Sequence, residues 1–233
     1  MRSVAAFRWP LNRFGVYEGQ TNDVVPFPPM KRPLVAILRG VKPDEAADIV
    51  SVLIDSGMTA IEIPLNSPDP FRSIEIAAKK APAGILVGAG TVLTLEAVER
   101  LHDVGGRLLV TPNVDPDIIA RARARGMVTM PGVFTPTEAL LAVKAGASSL
   151  KFFPASVLGA AGITAIRAVL PADLMIAAVG GVSDKNFADY IRAGILAFGL
   201  GSSLYKPGMT AAEVAVRAKA TIDAYDMAIQ QAG

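Results

Sequence analysis

From Pro33 onward the chain repeats one pattern: a short apolar run, a turn marked by glycine or polar residues, then ten or more residues with apolar positions at helical spacing. The first expected strand is Leu34–Leu38, ending at Arg39-Gly40, with a helix over Pro43–Ser56 and Gly57 as its stop. The second is Ala60–Leu65, followed by Asn66-Ser67-Pro68 and a helix through Lys80. Ile85–Ala89 and Arg107–Val110 come next, with helices from Thr94 and over Asp115–Arg125. Val128–Met130, Ser149–Phe153, Leu174–Val179 and Leu196–Leu200 complete the strands; their helices are expected from Thr135, after Gly159, from Ser183 and from Thr210.

Alternating strands and helices require a parallel sheet, and eight right-handed units close into an α/β fold, a single (β/α)8 TIM barrel. An open doubly wound sheet is the other arrangement. Against it stands the position of the unusual residues: Arg39, Glu62, Thr91, Pro112, Lys151, Gly180-Gly181 and Gly201-Ser202 mostly fall at or near C-terminal strand ends. In a barrel those ends converge on one mouth.

Residues 1–32 lack any such period and are expected to form an N-terminal extension to the barrel of residues 33–233. They hold Trp9, scattered arginines and Pro26, Pro28 and Pro29. Phe7, Trp9 and Phe14 are the candidate anchors against the barrel or a neighbouring subunit, and a biological start at Met30 is a second reading. Arg8, Arg13 and the prolines break the pattern of a secretory signal, so a cytoplasmic location is expected.

Composition narrows the chemistry. The 233 residues are 52% hydrophobic but only 6% aromatic, which suits small helices packed on branched strands. A net charge of +2 gives no electrostatic footprint for nucleic acid or an anionic membrane, and every apolar run is cut too short to span a bilayer. The absence of cysteine excludes thiol catalysis, disulfides and thiolate metal sites. The single His102, late in a helix, supports neither a histidine triad nor a multi-histidine metal site, so no metal and no cofactor is expected.

Lys151 lies inside the apolar run Ser149–Phe153, just before Pro154. A lysine there either snorkels or pairs with a carboxylate, or it gives up its proton and becomes a nucleophilic amine suited to Schiff-base formation. Glu62 is placed the same way, one charge within Ala60–Leu65. The two are either a buried structural ion pair or a nucleophile with its proton carrier. Arg39 at the first strand end is either an exposed loop arginine or a charge that favours the neutral amine and offers bidentate contacts to a carboxylate or phosphate. Val179-Gly180-Gly181 and Gly199–Ser203 close the seventh and eighth strands, where backbone N–H groups of barrel loops frequently hold phosphate. Gly88-Ala89-Gly90-Thr91 is a further N–H-rich turn suited to a carboxylate.

Taken together, Ile37–Gly40, Glu62–Ser67, Gly88–Val92, Val110–Asn113, Pro131-Gly132, Leu150–Pro154, Val179–Gly181 and Gly199–Ser202 resemble the class I KDPG/KDPGal aldolases over about residues 33 to 230. The resemblance implies that Lys151 is the Schiff-base lysine and Glu62 the proton-transferring carboxylate. It also implies that Thr91 and the adjoining Gly90 hold the pyruvyl carboxylate, with Arg39 helping to bind substrate. Pro112 and Phe153 would shape the pocket, and Gly180, Gly181, Gly201 and Ser202 would hold phosphate. Pyruvate as product, a phosphorylated keto-deoxy sugar acid as substrate and a homotrimer follow from the same resemblance.

Asn66 and Val179 depart from the KDPG branch, which usually has arginine and threonine at those positions. Both changes resemble the 2-dehydro-3-deoxy-6-phosphogalactonate branch, whose substrate differs at C4. The expectation is cleavage of that substrate, with the gluconate epimer as the alternative. Outside the family, the alternatives are an isomerase or epimerase that forms no imine, and a non-catalytic sugar-phosphate-binding barrel.

Overall fold

Apolar runs followed by well-signalled helix starts dictate the architecture observed in the computed structural model, which describes residues 24–232. The strands are β1 (Leu34–Ile37), β2 (Ala60–Pro64), β3 (Leu86–Gly90), β4 (Leu108–Val110), β5 (Val128–Met130), β6 (Gly132–Val133), β7 (Ser149–Phe152), β8 (Met175–Val179) and β9 (Ala197–Leu200). Between them run α1 (Pro43–Asp55), α2 (Pro70–Lys80), α3 (Leu95–Asp103), α4 (Pro116–Ala124), α5 (Pro136–Lys144), α6 (Ala155–Arg167) and α7 (Phe187–Arg192), and α8 (Ala211–Ala232) follows β9. Local chemistry sets many helix starts. Thr94 accepts from Ala97 N, Asp115 from Asp117 N and Ile118 N, and Thr135 forms a capping box with Glu138.

All strand pairs are parallel, in the order β5-β4-β3-β2-β1-β9-β8-β7-β6. The two ends of this sheet, β5 and β6, are one barrel strand interrupted at Pro131. Proline has no N–H to give the ladder, but its carbonyl accepts from Lys151 N at 2.9 Å, so β5 pairs with β4 and β6 with β7. The result is the expected (β/α)8 barrel, and the open doubly wound sheet is not formed. Three expected boundaries need correction. The seventh helix, expected from Ser183, starts at Phe187. The fifth strand continues through Gly132-Val133. The sixth helix starts at Ala155 and passes through a kink at Gly159 (φ 69°), where a left-handed backbone suits glycine.

Side chains alternate strictly across this barrel. Ile61, Ile63, Leu150 and Phe152 join the layer between strands and helices, whereas Val35, Ile37, Ala60, Val110, Met130, Ala177 and Val179 fill the interior. Glu62 and Lys151 share the inward phase with their strand neighbours two residues away, which is why both face the barrel axis.

The barrel floor is closed by chain that carries no periodicity. Val25, Phe27 and Met30 pack against the interior cluster, and Arg32 makes a bidentate pair with Asp226 on α8, at 2.7 and 2.5 Å. The anchors expected from sequence, Phe7, Trp9 and Phe14, lie outside the described residues. No helix among the described residues is long and apolar enough to cross a membrane.

Candidate active site

Lys151 on β7 and Glu62 on β2 are buried, with 7% and 2% of their surfaces exposed. Burial holds the Lys151 ammonium below its ordinary range, and the Arg39 charge adds to this while Glu62 opposes it. Burial likewise pushes the Glu62 carboxyl up, against the pull of Lys151 and Arg39. Both groups are thus driven toward their neutral forms. Among the described residues Glu62 Oε2 has no hydrogen-bond partner and no direct ion pair joins the two groups. A buried carboxylate left unsatisfied costs free energy that a structural ion pair would not leave unspent.

The strand neighbours make room for this carboxylate. A Cβ on Gly90 would lie 2.5 Å from Glu62 Oε1, so glycine is what allows the carboxylate to rest there. Thr91 follows with φ 59°, a left-handed conformation that is a genuine outlier for a β-branched residue and concentrates at functional sites. Gly132 lets the Pro112 carbonyl approach, since a Cβ there would come 2.4 Å from it. Pro112 itself is exposed at the rim, and the preceding Thr111 donates to Asn113 O at 2.5 Å.

Phe153 links the amine to the glycine loop. Lys151 Nζ stands 4.8 Å from the centroid of its ring, and a Cβ on Gly180 would come 3.1 Å from the ring's Cδ2. The ring therefore stands between the amine and the loop. Gly180 and Gly181 have φ of 91° and 77°, and Gly181 leaves the space occupied by Ser156 at the start of α6. Ser203 Oγ donates to Val182 O at 3.1 Å, joining the loop after β8 to the turn Gly201–Tyr205 after β9. Gly201 borders open space, and Ser202 is exposed with its carbonyl accepting from Arg217.

Of the two residues expected to distinguish the branches, Asn66 is exposed at the mouth, where its Oδ1 accepts from Arg39 Nη1 at 2.5 Å. Val179 is buried as the last side chain of β8 and, with Ile37, fills the space over Gly199. Sequence reasoning assigned no individual role to Ser67, Ser156, Ser203 or Gly132. Ser67, Gly132 and Ser203 lie inside stretches already singled out and Ser156 beside one, but which loop each one bridges is a property of the closed barrel. Among the described residues no group of three or more His, Cys, Asp or Glu side chains is placed to hold a metal ion.

This geometry can be set beside known proteins. The chain is 72% identical over 204 residues, 88% of its length and 96% of the relative's, to the probable 2-dehydro-3-deoxy-6-phosphogalactonate aldolase of Rhizobium meliloti (strain 1021). It is 47% identical over 200 residues, 86% of its length and 98% of the relative's, to the 2-dehydro-3-deoxy-6-phosphogalactonate aldolase of Escherichia coli (strain K12). A solved structure described as native KDPGal superposes with a TM-score of 0.85 at 46% identity, covering 87% of this chain and 98% of that one. Residues 29–215, which carry the whole mouth from Arg39 to Ser202, match the family described as "Aldolase: KDPG and KHG aldolase", and the chain belongs to that family.

Proposed function

We propose that this protein is a class I aldolase that cleaves 2-dehydro-3-deoxy-6-phosphogalactonate to pyruvate and D-glyceraldehyde 3-phosphate. The observation that carries the mechanism is a buried amine and a buried carboxyl group, its Oε2 without a hydrogen-bond partner among the described residues, facing one barrel mouth. The substrate follows from the relatives named above, supported by Asn66 and Val179 in the positions that separate the branches.

In this reading the neutral amine of Lys151 attacks the C2 ketone of the substrate. Glu62 relays protons as the carbinolamine loses water to give the protonated imine. Glu62 then accepts the C4 hydroxyl proton, the C3–C4 bond breaks, and its electron pair moves into the imine to form an enamine. Glyceraldehyde 3-phosphate departs as the aldehyde. Protonation of the enamine at C3 and hydrolysis of the imine release pyruvate and restore the amine. Thr91 and Gly90 hold the carboxylate end, Pro112 and Phe153 line the reacting carbons, and Gly180, Gly181, Gly201 and Ser202 receive the phosphate.

Borohydride reduction in the presence of pyruvate tests the mechanism: the expected product is a reduced adduct on Lys151, located by peptide mass spectrometry. An active protein left unmodified at Lys151 would favour an isomerase-like use of the same groups. Comparing kcat/KM for the galactonate and gluconate epimers tests the substrate, and a clear preference for the gluconate epimer overturns it. Ligand affinity without pyruvate release would identify a silent binding barrel. The reading also includes a cytoplasmic homotrimer, for which light scattering should give three times the 24.3 kDa chain mass.

A further inference from the structure

The loops after β1 and β2 are joined at the mouth by two consecutive residues. Ser67, buried, accepts from Gly40 N at 2.9 Å, and Ser67 N donates to Pro64 O at 2.9 Å. One residue earlier than Arg39, Leu38 N donates to Glu62 O at 2.9 Å. On the other side, Gly40 has φ 84°, and a Cβ there would come 2.6 Å from Pro207 Cγ. The backbone carrying Arg39 is therefore enclosed between the loop after β2 and the loop after β9.

What this enclosure leaves unrestrained is the long Arg39 side chain. Asn66 supplies the missing restraint through the bond from Arg39 Nη1 to its Oδ1, the one hydrogen bond of that guanidinium among the described residues. The acceptor is a neutral amide, so it fixes the guanidinium without cancelling its charge, as an aspartate there would. The remaining N–H groups stay available for an anion. The guanidinium is also near enough to the barrel axis to act on both Lys151 and Glu62.

From these ties we propose that Asn66 is a positioning residue that acts through Arg39: it aims the guanidinium over the barrel mouth toward an anionic group of the substrate and does not itself touch substrate. This rests on the aldolase reading and gives Asn66 a different role from the direct discrimination that its sequence position suggests.

The test is a double-mutant cycle on the full chain, with kcat and KM for 2-dehydro-3-deoxy-6-phosphogalactonate measured in wild type, Asn66→Ala, Arg39→Ala and the double variant. Arg39→Ala should raise KM most, and Asn66→Ala should raise it about 3- to 10-fold while kcat changes by less than about twofold, as loss of one charge-assisted hydrogen bond implies. The double variant should match Arg39→Ala within about twofold, because residues sharing one interaction are not additive. Asn66→Asp, which keeps the acceptor but cancels the charge, should also raise KM. Single effects that multiply in the double variant, or an unchanged KM in Asn66→Ala, overturn the proposal. A wild-type protein with neither turnover nor a trapped imine would instead sink the aldolase reading, so the two failures are distinguishable.

Discussion

The two ends of the barrel use opposite charges in opposite ways. At the floor, Arg32 and Asp226 meet directly, with 19% and 37% of their side chains exposed, and each is held in its charged form. The hydrogen bond between them, ahead of the other influences, raises the Arg32 pKa and lowers that of Asp226. At the mouth, Lys151 and Glu62 are far more buried and do not meet, and burial drives each toward neutrality. A contacting pair in partial water contributes a little stability; a separated, buried pair costs stability, which in the proposed reading keeps reactive groups ready. The difference lies in contact and burial, since both pairs combine one basic and one acidic side chain.

The sharpest way to break this contrast is at Lys151. Lys151→Met should lower kcat/KM by about 1,000-fold or more in a pyruvate-release assay, as loss of a covalent nucleophile does. It should at the same time raise Tm by about 2 °C or more, because an amine that is costly to bury is replaced by an apolar chain of similar length. A fall in Tm would mean that the lysine stabilises the barrel.

Glu62→Gln comes next, with an expected loss of about 100-fold in rate. Its stability effect carries a definite sign. The folded carboxyl lies above its ordinary value of 4.5, so below that pH folded and unfolded chains are both protonated and the wild type bears no penalty. The penalty grows as pH rises through the folded value and is complete above it. Thermal melts across pH should show the variant gaining on wild type as pH increases.

Gly90→Ala probes the same carboxylate without removing it. The new Cβ would displace Glu62 Oε1 from 2.5 Å, and rate should fall by about tenfold with pyruvate trapping on Lys151 retained.

The smallest effect is expected at the floor. Asp226→Ala should cost about 1 kcal/mol or less, given the exposure of the pair, and leave kcat/KM at the wild-type value. Here the pH dependence reverses: the depressed Asp226 carboxyl contributes above its ordinary 3.8, and that contribution is lost as pH falls through the folded value. Melts of the two variants should therefore diverge from wild type in opposite senses across acid pH.

Much of this contrast was legible along the chain, and the parts that were not have physical reasons. Lys151 and Glu62 stood out because a lone charge in an apolar strand is costly wherever the strand is buried. The helices announced themselves through Thr94, Asp115 and Thr135, whose caps act within a few residues. Pro131 read as a strand end, because its effect on one ladder is visible in sequence while the continuing pairing of Gly132 with Lys151 depends on a distant strand. The floor residues Val25, Phe27 and Met30 carried no period, since they fill a cavity shape and not a repeating surface. The tie between Arg39 and Asn66 spans two loops whose proximity exists only after closure.

Pro131 has one more consequence. A sheet with two free edges offers each as a template for another chain, and proteins normally spend charged residues, bulges or covering helices to prevent such association. Here the edge strands β5 and β6 are consecutive stretches of the same chain, separated by a single residue. Each edge lies end to end with the other, so the seam that interrupts the ladder exposes no length of strand on which aggregation could nucleate.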